Sequence, residues 1–219
     1  MRFLDRRDAG SRLAAELKVL ADERPVVVAL PRGGVPVAFE VARALGAPLE
    51  ILMVRKLGAP GNGELGVGAV VEDGTVLLDP DAAVTVGMTE ALLDATLQRE
   101  SAELRRRVEH YREERPPIPL SGRNVILVDD GLATGLTDLA AARALRKMGA
   151  RRIVVAVPVG SRESVALLAR ETDRVICLTV PKHLRGVGEW YRDFKPVSDE
   201  EVVALLVAAS EQTTTTTIG

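Results

Sequence analysis

The sequence predicts an α/β fold in which a parallel sheet carries helices on both faces. Three observations predict it. Short aliphatic runs at 25–30, 49–54, 125–128, 152–158 and 174–179 alternate with segments of helical length and period. Val125-Ile126-Leu127-Val128 contains no polar residue, as a strand buried on both faces requires. Residues 25–54 run strand, Gly-rich turn, helix, strand, which is a βαβ unit.

Residues 8–23 place Leu13, Ala14, Leu17 and Leu20 at helical spacing. The strand 25–30 ends in Pro31-Arg32-Gly33-Gly34, and a helix follows over 35–45. Gly46 stops that helix, because a left-handed cap costs glycine little. After the strand 49–54, residues 55–68 are rich in glycine and read as a mobile loop. The runs 66–71 and 75–78, split by Glu72-Asp73-Gly74, read as a β-hairpin. A long helix is expected over 89–115, with Thr89 as N-cap and Leu92, Leu93, Leu97, Leu104 and Val108 along one face. It carries Arg105-Arg106-Arg107, but Glu100, Glu103 and Glu109 are interspersed. The charges therefore form a solvated, salt-bridged surface rather than an RNA-binding face.

Pro116-Pro117-Ile118-Pro119 ends that helix. A helix begins near Asp138, strands follow at 152–158 and 174–179, and a helix over 161–170 separates them. Residues 181–197 are irregular and hold the only tryptophan; a helix over 199–210, capped by Ser198, closes the fold. The expected organisation is one domain over 1–219. It has an insertion at about 72–120 (hairpin and long helix), a C-terminal hood at about 180–197 and a frayed tail at 211–219. The leucine face of the inserted helix needs a partner surface, which points to a homodimer.

Composition bounds the function. A net charge of −2 gives no basic field for nucleic acid. One cysteine excludes a disulfide framework and fits a reducing, cytoplasmic setting. Cys177 lies in an apolar run and reads as a buried small hydrophobe. No apolar run approaches ~20 residues, so no membrane span is expected, and the amino terminus lacks a secretory signal.

The chemistry concentrates at 129–137. Asp129 and Asp130 stand at the carboxyl end of a buried strand, where open α/β sheets place ligands. Gly-Leu-Ala133-Thr134-Gly135-Leu136-Thr137 then leads into a helix, whose first N–H groups favour an anion. Acids beside a diol and amides under a phosphate describe a sugar-phosphate site. Arg32-Gly33-Gly34 is a second strand-to-helix anion turn, with a forked donor in Arg32. Arg55 and Lys56 follow the next strand. Glu64 lies in the glycine-rich stretch beyond them, with a surface role preferred over substrate contact. Val187, Trp190 and Tyr191 lie in the aromatic segment, where a flat acceptor would stack or the rings would seal the closing helix. His183 is a weaker candidate for that edge. No cluster has metal-ligand spacing for a structural zinc.

The 125–137 run resembles the signature of the type I phosphoribosyltransferases, which use phosphoribosyl pyrophosphate (PRPP). The resemblance implies a phosphoribosyltransferase-type, Rossmann-like sheet. Asp129 and Asp130 would hold the ribose hydroxyls, and Ala133 to Thr137 the 5′-phosphate. Arg32, Gly33, Gly34, Arg55 and Lys56 would hold pyrophosphate. A cis or strained peptide would stand at Pro31-Arg32 or Arg32-Gly33, and residues 58–64 would close over PRPP. The 180–197 hood would cover a nitrogenous acceptor. Mg²⁺ would arrive on PRPP, with no direct protein ligand beyond a place near Asp129 and Asp130. Ala133 stands where hypoxanthine-guanine members carry a second acid, which disfavours 6-oxopurine acceptors. The layout is most similar to a bacterial group of predicted phosphoribosyltransferases whose acceptor is open. Two alternatives remain at this point: a non-catalytic PRPP or nucleotide sensor on the same fold, and a phosphate-ester hydrolase, which lacks a nucleophile beside a base.

Overall fold

A computed structural model describes residues 2–59, 62–112 and 116–217, without the side chains of 62–65 and 213–217. Helix α1 (Arg6–Leu17) starts on the Asp5 cap and runs into a 3₁₀ segment, Lys18–Glu23, that ends at Arg24. Strand β1 (Val26–Ala29), α2 (Gly34–Leu45) and β2 (Leu49–Ile51) form the expected βαβ unit, with Gly46 left-handed at φ 59°. Next come β3 (Val54–Ala59), β4 (Asn62–Val71), β5 (Val76–Leu78), α3 (Pro80–Thr85) and α4 (Glu90–Arg112). The core resumes with β6 (Asn124–Val128), α5 (Leu136–Lys147), β7 (Arg152–Val159), α6 (Arg162–Leu168) and β8 (Arg174–Thr179). A 3₁₀ turn at Val187–Trp190 and α7 (Asp199–Thr217) complete the chain.

The main sheet is parallel throughout, in the order β2-β1-β6-β7-β8. Strands β1, β2, β6 and β7 bury both faces by alternation, while the edge strand β8 is only half-buried. Val27, Ala29, Ile126, Val128, Val154 and Ala156 pack with α1, α2 and α7. Val26, Val28, Val125, Leu127, Ile153 and Val155 pack with α5 and α6. The chain leaves β1 toward β2 on one side, while β6 pairs on the other. The carboxyl ends of β1 and β6 therefore flank the point where strand order reverses, the usual ligand crevice of such sheets.

The stretch 55–68, expected as a mobile loop, is instead a strand pair. Strands β3, β4 and β5 make an antiparallel sheet, with Arg55 opposite Val70 and Lys56 opposite Ala69. The glycines misled the reading because they serve close packing. A Cβ on Gly66 would meet the Lys56 methylenes, and one on Gly68 would meet the Leu77 carbonyl. Pro60, Gly61 and the Glu64 side chain lie outside the described residues. Helix α3 was also missed, although Asp79 caps it and Pro80 opens it.

Helix α4 turns its apolar face inward. Leu104 is buried, and Leu93, Leu97 and Val108 pack partly buried on the main core, so much of that leucine face is turned to the chain itself while Leu92 stays 42% exposed. The foot of the insertion is polar: Arg112 donates to Glu72 Oε1 (2.6 Å) and to the Ile51 carbonyl (3.3 Å), while the Ile118 N–H donates to Glu50 (2.6 Å). The tail expected to fray from 211 continues as helix to Thr217, prolonging a helix whose Val202, Leu205 and Leu206 dock in the core. Cys177 is half-buried rather than buried, and burial pushes its thiol up to about 11. No described helix is long and apolar enough to cross a membrane.

Because β3 and β4 pack into the core through Leu57, which is fully buried, Leu57→Ala should cost about 3 kcal/mol in urea unfolding. A loss under about 0.5 kcal/mol would mean that the segment is unpacked.

Candidate active site

The two anion turns touch. Register along β1 and β6 pairs Ala29 with Val128, and the Leu30 N–H donates to the Val128 carbonyl (3.1 Å). The first turn thus begins beside Asp129. A Cβ on Gly33 would run into Asp130 Oδ2, and one on Gly34 would lie 2.8 Å from the Val128 carbonyl oxygen. Only glycine permits this approach. The Pro31–Arg32 peptide is cis. Gly33 caps α2, and the Gly34 and Val35 N–H groups fold back on the Leu30 and Arg32 carbonyls (3.0 and 3.2 Å), closing the turn tightly beside the acid pair.

The second turn is braced from below. Leu132 pairs with Gly160, and the Ser164 hydroxyl donates to the Ala133 carbonyl (2.7 Å). Gly135 is left-handed (φ 73°) at the start of α5. Ala133 and Thr134 are exposed, while Leu136 and Thr137 are half-buried. This leaves a rimmed cradle of amides at a helix start, suited to a phosphate dianion.

Three carboxyls crowd beneath it. Asp129 Oδ1 accepts the Asp130 N–H (2.7 Å). Asp130 Oδ2 accepts Arg6 Nε (2.8 Å). Asp138, in the first turn of α5, is buried, and its Oδ1 has no partner among the described residues. Burial is the largest cause pushing all three carboxyls up, Asp138 to about 7. Asp138 and Asp130 raise Asp129 further; Arg6 opposes the rise at Asp129 and Asp130. Arg6 therefore offsets two of the three acids and leaves Asp138 uncompensated, an arrangement that favours a ligand bringing hydroxyls or positive charge.

A phosphoribosyl transferase domain model matches residues 5–188. The chain belongs to the phosphoribosyl transferase domain family. It is 48% identical over 201 residues to "Putative phosphoribosyl transferase Rv0571c" of Mycobacterium tuberculosis H37Rv, and to its counterpart in strain CDC 1551. The match covers 92% of this chain and 45% of the relative, so the chain spans about half the length of the curated relatives it matches. The crystal structure of TT1426 from Thermus thermophilus superposes with a TM-score of 0.80 at 48% identity, covering 95% of this chain and 99% of that one.

The hood of this phosphoribosyl transferase domain corrects one assignment. Tyr191 is buried, donates its hydroxyl to the Asp130 carbonyl (2.6 Å), and packs between Phe3 and Phe194. A ring enclosed on both sides cannot stack an acceptor; Tyr191 locks the hood to the acid pair. Val187 lies over Gly131, where a Cβ would come within 2.6 Å of its methyl, and Trp190 is half-buried. His183 is exposed.

The basic pair divides. Strand alternation sends Arg55 toward α4, where Nε and Nη2 both donate to Glu100 Oε2 (2.9 and 2.6 Å). Lys56 shares the opposite face with Val54 and Ala69, which pack in the cluster around α5. Arg55 therefore anchors the inserted helix, which corrects its assignment to pyrophosphate.

Sequence reading missed Arg6, 124 positions from its partner, because nothing local marks such a pair. Asp138 had a signal: it is a lone acid at the head of the otherwise apolar run Leu139–Ala142. Among the described residues no cluster of His, Cys, Asp and Glu is built to hold a metal ion.

Asp138 sits above its ordinary carboxylate value, so its ionisation opposes folding. That cost is absent near pH 4, grows with pH and levels off above about pH 7. Asp138→Asn, neutral throughout, should be near-neutral in stability at pH 4 and stabilising by a few kcal/mol (on the order of 1.4 kcal/mol per pH unit across the shift) at pH 8. Urea unfolding at both values checks this; a pH-independent difference contradicts it.

Proposed function

We propose that the chain transfers a 5-phosphoribosyl group from PRPP, carried with Mg²⁺, to a nucleobase-like nitrogenous acceptor in the cytoplasm, releasing pyrophosphate. The observation that carries this reading is the contact of the two glycine turns at the strand-order switch, Gly33 against Asp130. It brings a strand-end turn carrying Arg32 and a second turn opening α5 to the same acid pair, an arrangement that supports a sugar bearing phosphate groups at both ends. Asp129 and Asp130 accept the ribose hydroxyls, and their excess negative charge over Arg6 fits such donors. Ala133, Thr134, Gly135, Leu136 and Thr137 hold the 5′-phosphate. Arg32, Gly33, Gly34 and Lys56 hold pyrophosphate. Val187 and Trp190 wall the acceptor, and Ala133 disfavours 6-oxopurines.

The residues fit a divalent ion brought by the substrate, since Asp129 and Asp130, with buried Asp138 behind them, carry more acid than Arg6 offsets. Bound near Asp129 and Asp130, such an ion supplies neutralisation of pyrophosphate charge. The protein's own part is positioning and charge stabilisation while the C1–O bond breaks and a C1–N bond forms.

Calorimetric titration of PRPP with Mg²⁺ tests the reading. Binding is expected, and Asp130→Asn should weaken it about tenfold, equivalent to about 1.4 kcal/mol. No heat at millimolar ligand rejects the donor assignment. Binding with no turnover against bases, amines and azoles converts the enzyme into a regulator.

A further inference from the structure

The insertion touches the pyrophosphate turn through a carboxylate. Tyr111, near the end of α4, is buried in the main core, and its hydroxyl donates to Asp199 Oδ1 at the start of α7. On the other side of that oxygen, Arg32 Nη1 stands 3.6 Å away. That separation is an ion pair and not a hydrogen bond. Among the described residues, no hydrogen bond occupies any N–H group of Arg32, whose side chain is 39% exposed.

The contrast with Arg55 gives the arrangement its meaning. Arg55 spends two N–H groups on Glu100 and is held by it. A guanidinium bound that way has little left for a phosphate. Arg32 is attracted by Asp199 without surrendering a donor. Tyr111, on a ring fixed by packing, donates to that same Oδ1. Burial pushes that phenol up to about 12, so it keeps its proton and remains the donor at neutral pH. The Tyr111 hydroxyl first, then the charges of Arg32 and Arg107, hold the Asp199 carboxyl below its ordinary value against the opposing effect of burial.

We propose that Asp199, fixed by Tyr111 of the inserted helix, is a positioning residue for pyrophosphate, steering the Arg32 guanidinium to its turn while leaving the N–H groups for the ligand. The inference rests on the reading of the Arg32-Gly33-Gly34 turn as the pyrophosphate site. It gives the insertion a task in substrate binding: α4 supplies the fixed point from which an arginine in the core is aimed.

The test separates the two ends of the substrate. Inorganic pyrophosphate with Mg²⁺ and ribose 5-phosphate are titrated separately by calorimetry into the wild type, Tyr111→Phe, Asp199→Asn and Arg32→Ala. Pyrophosphate affinity should fall about five- to tenfold in Tyr111→Phe and Asp199→Asn, within the range for the net worth of an ordinary hydrogen bond, while ribose 5-phosphate affinity stays within about twofold. In the Arg32→Ala background neither change should have a further effect. Unchanged or tighter pyrophosphate binding overturns the proposal, as does a loss shared by ribose 5-phosphate or one that persists without Arg32. If Arg32→Ala itself leaves pyrophosphate binding intact, the turn has been misassigned and the underlying reading fails first. Tyr111→Phe removes one oxygen from a packed ring, so it decides the matter even if Asp199→Asn unravels the start of α7.

Discussion

Much of this structure depends on holding two carboxylates, Asp129 and Asp130, at the end of a buried strand with a single arginine for company. Burial disfavours their charge, and the nearby Asp138 makes Asp129 worse. The neighbouring elements answer that demand. Backbone amides and Arg6 supply donors, Gly33 and Gly34 clear the space, and Tyr191 ties the hood to the Asp130 carbonyl. Arg6 reaches the site from the first helix and also donates to the Lys195 carbonyl (2.8 Å), with the Phe194 ring 3.9 Å from its guanidinium carbon. Amino-terminal helix, hood and strand end are therefore one mechanical unit.

The insertion is built into this unit rather than appended to it. Its foot is set by Arg112 and Glu72, where burial raises the glutamate and the arginine opposes the rise. Its shaft is held by Arg55 and Glu100, and at the foot Tyr111, next to Arg112, meets Asp199. The exposed side keeps its charges in short-range pairs, such as Glu103 with Arg106 and Arg107. Apolar burial and ion pairing both point inward to the sheet edge near β3.

The parallel sheet, its helices and both anion turns were legible because each rests on local pattern: apolar runs, glycine at strand ends, acids after a strand. The cis peptide stands where the family resemblance places it. What escaped was non-local or disguised. Glycines at Gly66 and Gly68 look like flexibility in one dimension and are close strand packing in three. Arg55 and Lys56 are neighbours in sequence and point to opposite faces of a strand, so one binds α4 and only the other faces the α5 side. Tyr191 reads as a stacking ring until Phe3, Phe194 and the Asp130 carbonyl are seen to enclose it. The Arg6 and Asp199 contacts join residues more than 80 positions apart, and no periodicity records them.

The central claim is that two strand-end turns form one clamp around a single sugar. A crystal structure with PRPP and Mg²⁺ tests it most directly. The account predicts the 5′-phosphate on the amides of 133–137, the ribose hydroxyls on Asp129 and Asp130, and pyrophosphate on the 32–34 turn. PRPP seated with its sugar away from the acid pair, or with both phosphate ends on one turn, would contradict it.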